Sequence, residues 1–85
     1  MTKTQPMTAT EASEAAHRAV RQLAALAEGG DLDALRELAA VRVDLDSWTA
    51  FAVGTLRAAP LPVSWATIGR LLGTTRQAAH ERFGP

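Results

Sequence analysis

Two groups of helix breakers divide the chain and constrain its fold. Gly29-Gly30 and Pro60-Leu61-Pro62 interrupt segments in which Ala, Leu, Arg and Glu predominate, and these residue types have the strongest intrinsic preference for helix. Proline lacks a backbone donor and disfavours helical backbone in the preceding residue, so no regular helix continues through 60–62. No β-branched run alternates with polar residues for long enough to predict a strand. The sequence therefore predicts an all-α fold, a small bundle of four to five helices.

Capping residues predict where the first helices begin and end. Residues 1–7 contain Pro6 and few residues that could be buried, so we expect a disordered tail. The first helix should begin near Thr8 or Thr10, with Glu11 in its first turn, and should end at Gly29-Gly30. Asp31 then caps the next helical segment.

The segment from Asp31 to Ala58 allows two interpretations. Its apolar positions alternate steps of three and four residues, which is typical of a helix face. Asp44 and Asp46 are good N-caps, however, and Val43 is a mediocre helix residue. The pattern is therefore compatible with one long helix or with two helices broken near Val43-Asp44. Aromatic residues at helical spacing are usually core residues, so Trp48, Phe51 and Trp65 are expected in the core.

The C-terminal stretch SWATIGRLLGTTRQAAHERF predicts two short helices joined by a tight turn. Ser64 caps the first, which runs from Trp65 to about Leu72. Gly73 supplies the left-handed backbone position that glycine adopts most cheaply. Thr75, next to Thr74, caps the second, from about Arg76 to Phe83.

Composition and the absence of certain motifs argue against several kinds of functional site and several classes of protein. The chain has no Cys and two His, at positions 17 and 80, which are too few ligands for a zinc site. We see no nucleophile with an adjacent base, no carboxylate pair in a pocket and no phosphate-binding loop, so we expect neither an enzyme nor a cofactor. No small-molecule pocket is indicated. The sequence lacks a membrane-spanning apolar run and a secretory signal, which predicts a cytoplasmic, nucleoid-associated protein.

Charge is distributed unevenly although the net charge is zero. Residues 1–46 carry five basic and eight acidic residues, a balance of −3, whereas residues 47–85 carry four Arg and one Glu, a balance of +3. A surface that is locally positive attracts phosphate, and the C-terminal half is therefore the candidate nucleic-acid-binding half.

The C-terminal stretch resembles the helix-turn-helix of bacterial DNA-binding proteins. It is similar to the pattern S-W/Y-x-x-I-G/A-x-x-L-G-x-[ST]-R-x-A-[AV] of small transcriptional regulators and of sigma-factor region 4, over about twenty residues. One position departs from the pattern, because Thr74 stands where an apolar residue usually fills the turn. The matching positions are Ile68, Gly69, Leu72, Gly73, Ala79 and Phe83.

This resemblance implies a division of roles among the polar residues. With Ala79 and Phe83 facing inward, the last helix presents its opposite face to the DNA major groove. Glu81 would repel phosphate unless it accepts a cytosine amino hydrogen or orients Arg76 or His80. The base-reading candidates are Arg76, Gln77, His80 and Glu81. The phosphate-contacting candidates are Ser64, Arg70, Thr75 and Arg82.

The sequence also predicts partners. A single helix-turn-helix buries roughly 600–1,000 Å² on DNA, which is too little for tight specific binding. We expect neither a wing nor further helices after Phe83, so a homodimer would use the helical region 8–58, while 59–85 binds double-stranded DNA. Within 8–58, the apolar stripes from Ala12 to Ala27 and from Leu32 to Leu38 either form that interface or cover Trp48 and Phe51 within one chain. The predicted function is a sequence-specific, dimeric transcriptional regulator. The alternative is an adaptor whose helix-turn-helix docks on RNA polymerase or another regulator.

Overall fold

The computed structural model describes residues 7–84 and places four helices among them. These are α1 (Ala9–Glu28), α2 (Leu32–Ala58), α3 (Trp65–Leu71) and α4 (Arg76–Phe83), and no strand occurs in the described part of the chain. The predicted all-α class is confirmed. Residues 1–6 of the expected tail lie outside the described residues. None of the helices described between residues 7 and 84 combines the length and apolar character needed to cross a membrane.

The chain divides into two compact units, Met1–Arg42 and Val43–Pro85, with the boundary inside α2. In the first unit, α1 begins after Thr8. The Thr8 hydroxyl accepts from the Glu11 backbone N–H at 3.1 Å, and the Glu11 carboxylate accepts from the Thr8 backbone N–H at 3.0 Å. At the other end, Gly30 takes a φ of 105°, which other residues rarely adopt. The Asp31 carboxylate accepts from the Ala34 N–H at 3.0 Å at the start of α2. The predicted capping residues of this unit are therefore confirmed.

The capping box at Thr8 predicts a local pH dependence. Hydrogen bonds from the Thr8 backbone and side chain lower the pKa of Glu11 from its ordinary value of 4.5. A lowered carboxyl pKa contributes stability that is fully present above pH 4.5 and is lost as the pH falls through the lowered value. We expect the Thr8 amide NMR signal to titrate below pH 4.5 as the first turn of α1 frays. Glu11→Gln should abolish this titration, whereas Glu14→Gln should leave it; a Thr8 amide that still titrates in Glu11→Gln would contradict the assignment.

α2 is one continuous helix, which decides between the two interpretations of residues 31–58. Helical backbone passes through Val43-Asp44 without a break, and the helix ends at Ala58 ahead of Pro60. The Thr49 hydroxyl donates to the Leu45 carbonyl oxygen at 2.7 Å. Threonine side chains within helices often form this hydrogen bond to the carbonyl oxygen one turn earlier. Neither Asp44 nor Asp46 therefore acts as an N-cap.

The second unit has a small core. Val53 of α2, Ile68 of α3 and Ala79 of α4 are buried together, and Val63, Trp65 and Phe83 pack around them. The Arg57 guanidinium lies 5.0 Å from the Trp65 ring centroid and donates to the Val63 carbonyl oxygen at 3.0 Å, which connects α2 to the segment preceding α3. Each of the three helical segments in this unit therefore contributes one buried side chain to the same cluster.

The prediction that all three aromatic residues lie in the core is wrong for two of them. Trp65 is half-buried as expected, but Trp48 is 68% exposed and Phe51 is 67% exposed, and their rings contact each other edge to face with centroids 6.2 Å apart. The α2 side that faces the core is the side of Val53. Trp48 and Phe51 lie on other sides of the helix, so helical spacing placed them correctly on α2 but did not identify which side is buried.

Candidate nucleic-acid interface

Two side-chain caps define the α3 and α4 helices. The Ser64 hydroxyl oxygen accepts from the Thr67 N–H at 3.1 Å at the start of α3, and the Thr75 hydroxyl oxygen accepts from the Ala78 N–H at 3.0 Å at the start of α4. Between the helices, Gly73 has a φ of 73°, in the left-handed region. Both caps and the left-handed glycine are the ones that the sequence predicted.

Gly69 sets the distance between α3 and the start of α4. A Cβ atom at this position would lie 2.7 Å from the Thr75 carbonyl oxygen and 3.0 Å from the Arg76 nitrogen, which are backbone atoms. The glycine therefore permits an approach that every other residue type would block. The Thr74 N–H donates to the Gly69 carbonyl oxygen at 2.8 Å and closes the turn, while the Thr74 side chain is exposed.

α4 separates its buried and exposed sides as predicted. Ala79 has no exposed surface and Phe83 is half-buried, so this side holds the helix on the unit. The polar residues predicted to contact DNA bases are all exposed on the same short helix: Arg76, Gln77, His80 and Glu81. The structure thus brings the four base-reading candidates together on one surface.

Glu81 has a different partner from the ones that the sequence suggested. Its carboxylate accepts from the Gln77 side-chain amide at 3.1 Å, one helical turn earlier. The interaction directs the Gln77 amide group and occupies one carboxylate oxygen. The sequence pattern had indicated only Arg76 or His80 as a group for Glu81 to orient. Residues four apart on a helix are neighbours, so this pairing was available from spacing alone.

His80 lies against the aromatic ring of Trp65. The two ring centroids are 5.2 Å apart and the rings are nearly perpendicular. Because Arg57 packs on the same Trp65 ring, the three side chains form one contact chain from α2 through α3 to α4. His80 is therefore exposed, and its ring is held against Trp65.

Arg82 is paired within its own unit. Its guanidinium lies 3.0 Å from the Asp46 carboxylate and 5.2 Å from the centroid of the Phe83 ring. Both partners of the ion pair are well exposed, and exposed pairs of this kind contribute at most ~1 kcal/mol. The pair joins residues 36 positions apart, so the sequence pattern gave no signal for it.

The remaining phosphate candidates differ in what they can still donate. The Ser64 hydroxyl donates to the Thr67 hydroxyl at 3.0 Å and so uses its proton locally. The Thr75 hydroxyl accepts the cap hydrogen bond and keeps its own proton as a donor. Arg70 is exposed in the last turn of α3. Arg70 and Thr75 are therefore the most available donors among the four.

Within residues 7–84, no group of three or more His, Asp or Glu side chains is placed to hold a metal ion. Comparisons with protein-family models, with curated proteins and with solved structures found no match to this chain.

Proposed function

We propose that the chain is a sequence-specific DNA-binding protein in which α3 and α4 form a helix-turn-helix without a wing. The supporting observation is the close approach at Gly69, which sets the start of α4 directly against α3 while Arg76 and Gln77 stay exposed in its first turn. In helix-turn-helix proteins the N-terminal part of the second helix enters the major groove. Arg76 suits a guanine edge and Gln77 an adenine edge, with Glu81 holding the Gln77 amide in position.

The balance of charges favours a weak monomer and a functional homodimer. Of the four arginines in residues 47–85, Arg57 is engaged with Trp65 and Arg82 with Asp46, which leaves Arg70 and Arg76 as the principal cations of the proposed DNA-binding surface. Few phosphate contacts give weak binding at physiological salt. Doubling the surface in a homodimer that reads two half-sites increases both affinity and specificity. The protein would then act in the cytoplasm, on the nucleoid, as a transcriptional regulator.

Selection of bound sequences from a random pool of duplex DNA tests the proposal. We expect enrichment of a pseudo-palindromic site at low salt, with half-sites about one helical turn or a multiple of it apart. A pool that shows no enrichment, together with no shift of any duplex by concentrated protein, would contradict DNA binding. The adaptor function would then be the better description of the α3–α4 surface.

Substitution of two arginines should separate base reading from phosphate contact. We expect Arg76→Ala to relax the preference at one base position, at a cost of ~1–3 kcal/mol for the preferred site. Arg70→Ala should weaken binding to all sequences and reduce the slope of log affinity against log salt by about 1. Competition binding with preferred and scrambled duplexes at several salt concentrations measures both effects.

Arg82→Ala is the matched comparison for these variants, because Asp46 already neutralises this arginine. We expect a smaller loss of affinity than in Arg70→Ala. If Arg76→Ala and Arg70→Ala instead reduce affinity for preferred and scrambled duplexes by the same factor, Arg76 does not read a base.

A further inference from the structure

The second unit exposes a continuous apolar surface that its own core does not use. We call it the α2/α3 apolar face and define it by six exposed side chains: Leu45, Trp48, Phe51, Leu56, Leu71 and Leu72. A groove of about 330 Å³ runs through it, lined by Leu45, Trp48 and Leu56 of α2, by Leu71 of α3, and by Leu72, which follows α3. Phe51 lies beside the groove, in edge contact with Trp48.

The size of this face is sufficient for a small protein interface. At ~0.8 kcal/mol per methylene group and ~25 cal/mol per Å², the carbon atoms of a leucine side chain correspond to roughly 120 Å² of surface. An aromatic side chain has roughly 150–250 Å². Scaled by their exposed fractions, the six side chains offer roughly 500 Å² of apolar surface. Monomeric proteins rarely expose a contiguous apolar patch larger than a few hundred Å². Two such faces in contact would remove ~1,000 Å² from water, which is at the lower limit for a biological interface.

The chemistry of the groove argues against a small-molecule or charged occupant. None of its lining residues is charged, and the hydroxyl of Thr49 already donates to the Leu45 carbonyl oxygen. A small-molecule site normally provides a few convergent polar groups that orient its ligand, and a charged peptide needs complementary charges. The groove offers neither, whereas depletion of charge is typical of the core of a protein interface.

The face carries both a recess and an exposed aromatic side chain next to it, an arrangement that suits a self-complementary interface. In a twofold dimer the same patch of both copies meets, so each protruding group must find a recess on the same patch of its partner. Here the groove is the recess, and Phe51, which is 67% exposed and contacts the groove residue Trp48, is the exposed aromatic side chain.

We propose that the α2/α3 apolar face binds the same face of a second copy of this chain, with Phe51 of each copy seated in the groove of the other. This face would be the interface of the homodimer in the proposed function. Its relation to DNA rests on that proposed function. It differs from the interface expected from the sequence, because Leu71 and Leu72 lie outside residues 8–58 and the apolar stripe of α1 is not used.

The mass of the full chain in solution, measured by light scattering across a wide range of protein concentration, tests the proposal. We expect wild type at twice the 9.0 kDa monomer mass. Trp48→Glu and Leu71→Glu place a charge on the face from two different helices, and each should weaken dimerisation by at least ~30-fold, as loss of a central interface residue does. Leu61→Glu is the matched control, since Leu61 is 89% exposed in the α2–α3 connection and does not line the groove.

Circular dichroism should show unchanged helix content in all three variants, and Trp48→Phe should retain the dimer. A wild-type chain of 9.0 kDa at every concentration would overturn the proposal. So would folded Trp48→Glu and Leu71→Glu proteins that dimerise as tightly as Leu61→Glu. The DNA selection is a separate test. A wild-type dimer that enriches no DNA sequence would support this interface and contradict the proposed function. A wild-type monomer that enriches a single half-site would contradict this interface and support the proposed DNA binding.

Discussion

Gly69→Ala is expected to destabilise the second unit by ~2–3 kcal/mol. The added methyl group would stand 2.7 Å from the Thr75 carbonyl oxygen and 2.8 Å from its carbonyl carbon, so α3 and the start of α4 would have to separate. Overpacking usually costs ~1–3 kcal/mol, and the obstacle here is backbone rather than a flexible side chain. Urea denaturation followed by tryptophan fluorescence measures the effect, because both tryptophans, Trp48 and Trp65, lie in this unit.

Gly54→Ala is the matched control for this prediction. Gly54 also lies within a helix, but a Cβ atom there would meet nothing within 4 Å. Alanine should therefore stabilise α2 by ~0.5–1 kcal/mol through its better helix propensity. Both variants are compared with wild type at one fixed protein concentration, since association makes apparent stability depend on concentration. Equal effects of the two substitutions would contradict the close approach of α3 and α4.

Ile68→Ala is expected to cost ~2–5 kcal/mol, and Ile68→Val ~0.5–1.5 kcal/mol. Ile68 is 3% exposed and is the α3 member of the three-residue buried cluster, with Val53 and Ala79 as the others. At ~0.05–0.15 kcal/mol per residue, a unit of this size has roughly 2–6 kcal/mol of total stability. The alanine variant should therefore leave much of the α3–α4 pair unfolded at room temperature.

Leu61→Ala provides the comparison at an exposed leucine and should stay within ~0.5 kcal/mol of wild type. The same tryptophan fluorescence measurement serves for all three variants. An Ile68→Ala protein as stable as Leu61→Ala would mean that the buried cluster does not hold this unit together.

Local signals predicted the helix boundaries well because the atoms involved are close in sequence. Thr8, Asp31, Ser64 and Thr75 each accept from a backbone N–H three residues later, and Gly73 takes the left-handed conformation that the turn requires. A cap needs only the right side chain next to a helix start. Local signals could not decide whether α2 continues through Val43-Asp44. A possible N-cap indicated a break there, whereas the apolar pattern indicated one helix, and the structure has one helix.

Contacts between distant segments account for what could not be predicted. Periodicity shows which residues share a helix side but not which other element covers that side. The pattern therefore could not show that the sides of α2 carrying Trp48 and Phe51 are exposed. The exposure of the proposed base-reading residues followed from the position of Ala79 alone. The contact of His80 with Trp65 and the pairing of Arg82 with Asp46 required the three-dimensional arrangement of α2, α3 and α4.

The pairing of Arg82 with Asp46 places an acidic group beside one of the proposed phosphate contacts. A guanidinium that meets a DNA phosphate displaces a condensed cation from the DNA. If Arg82 turns from Asp46 to a phosphate, the ion pair is broken and the Asp46 carboxylate remains close to the DNA, where it repels the phosphates. In the proposed complex Asp46 would thus compete with the phosphate for Arg82, and a phosphate contact by Arg82 would add less affinity than its effect on the salt dependence suggests.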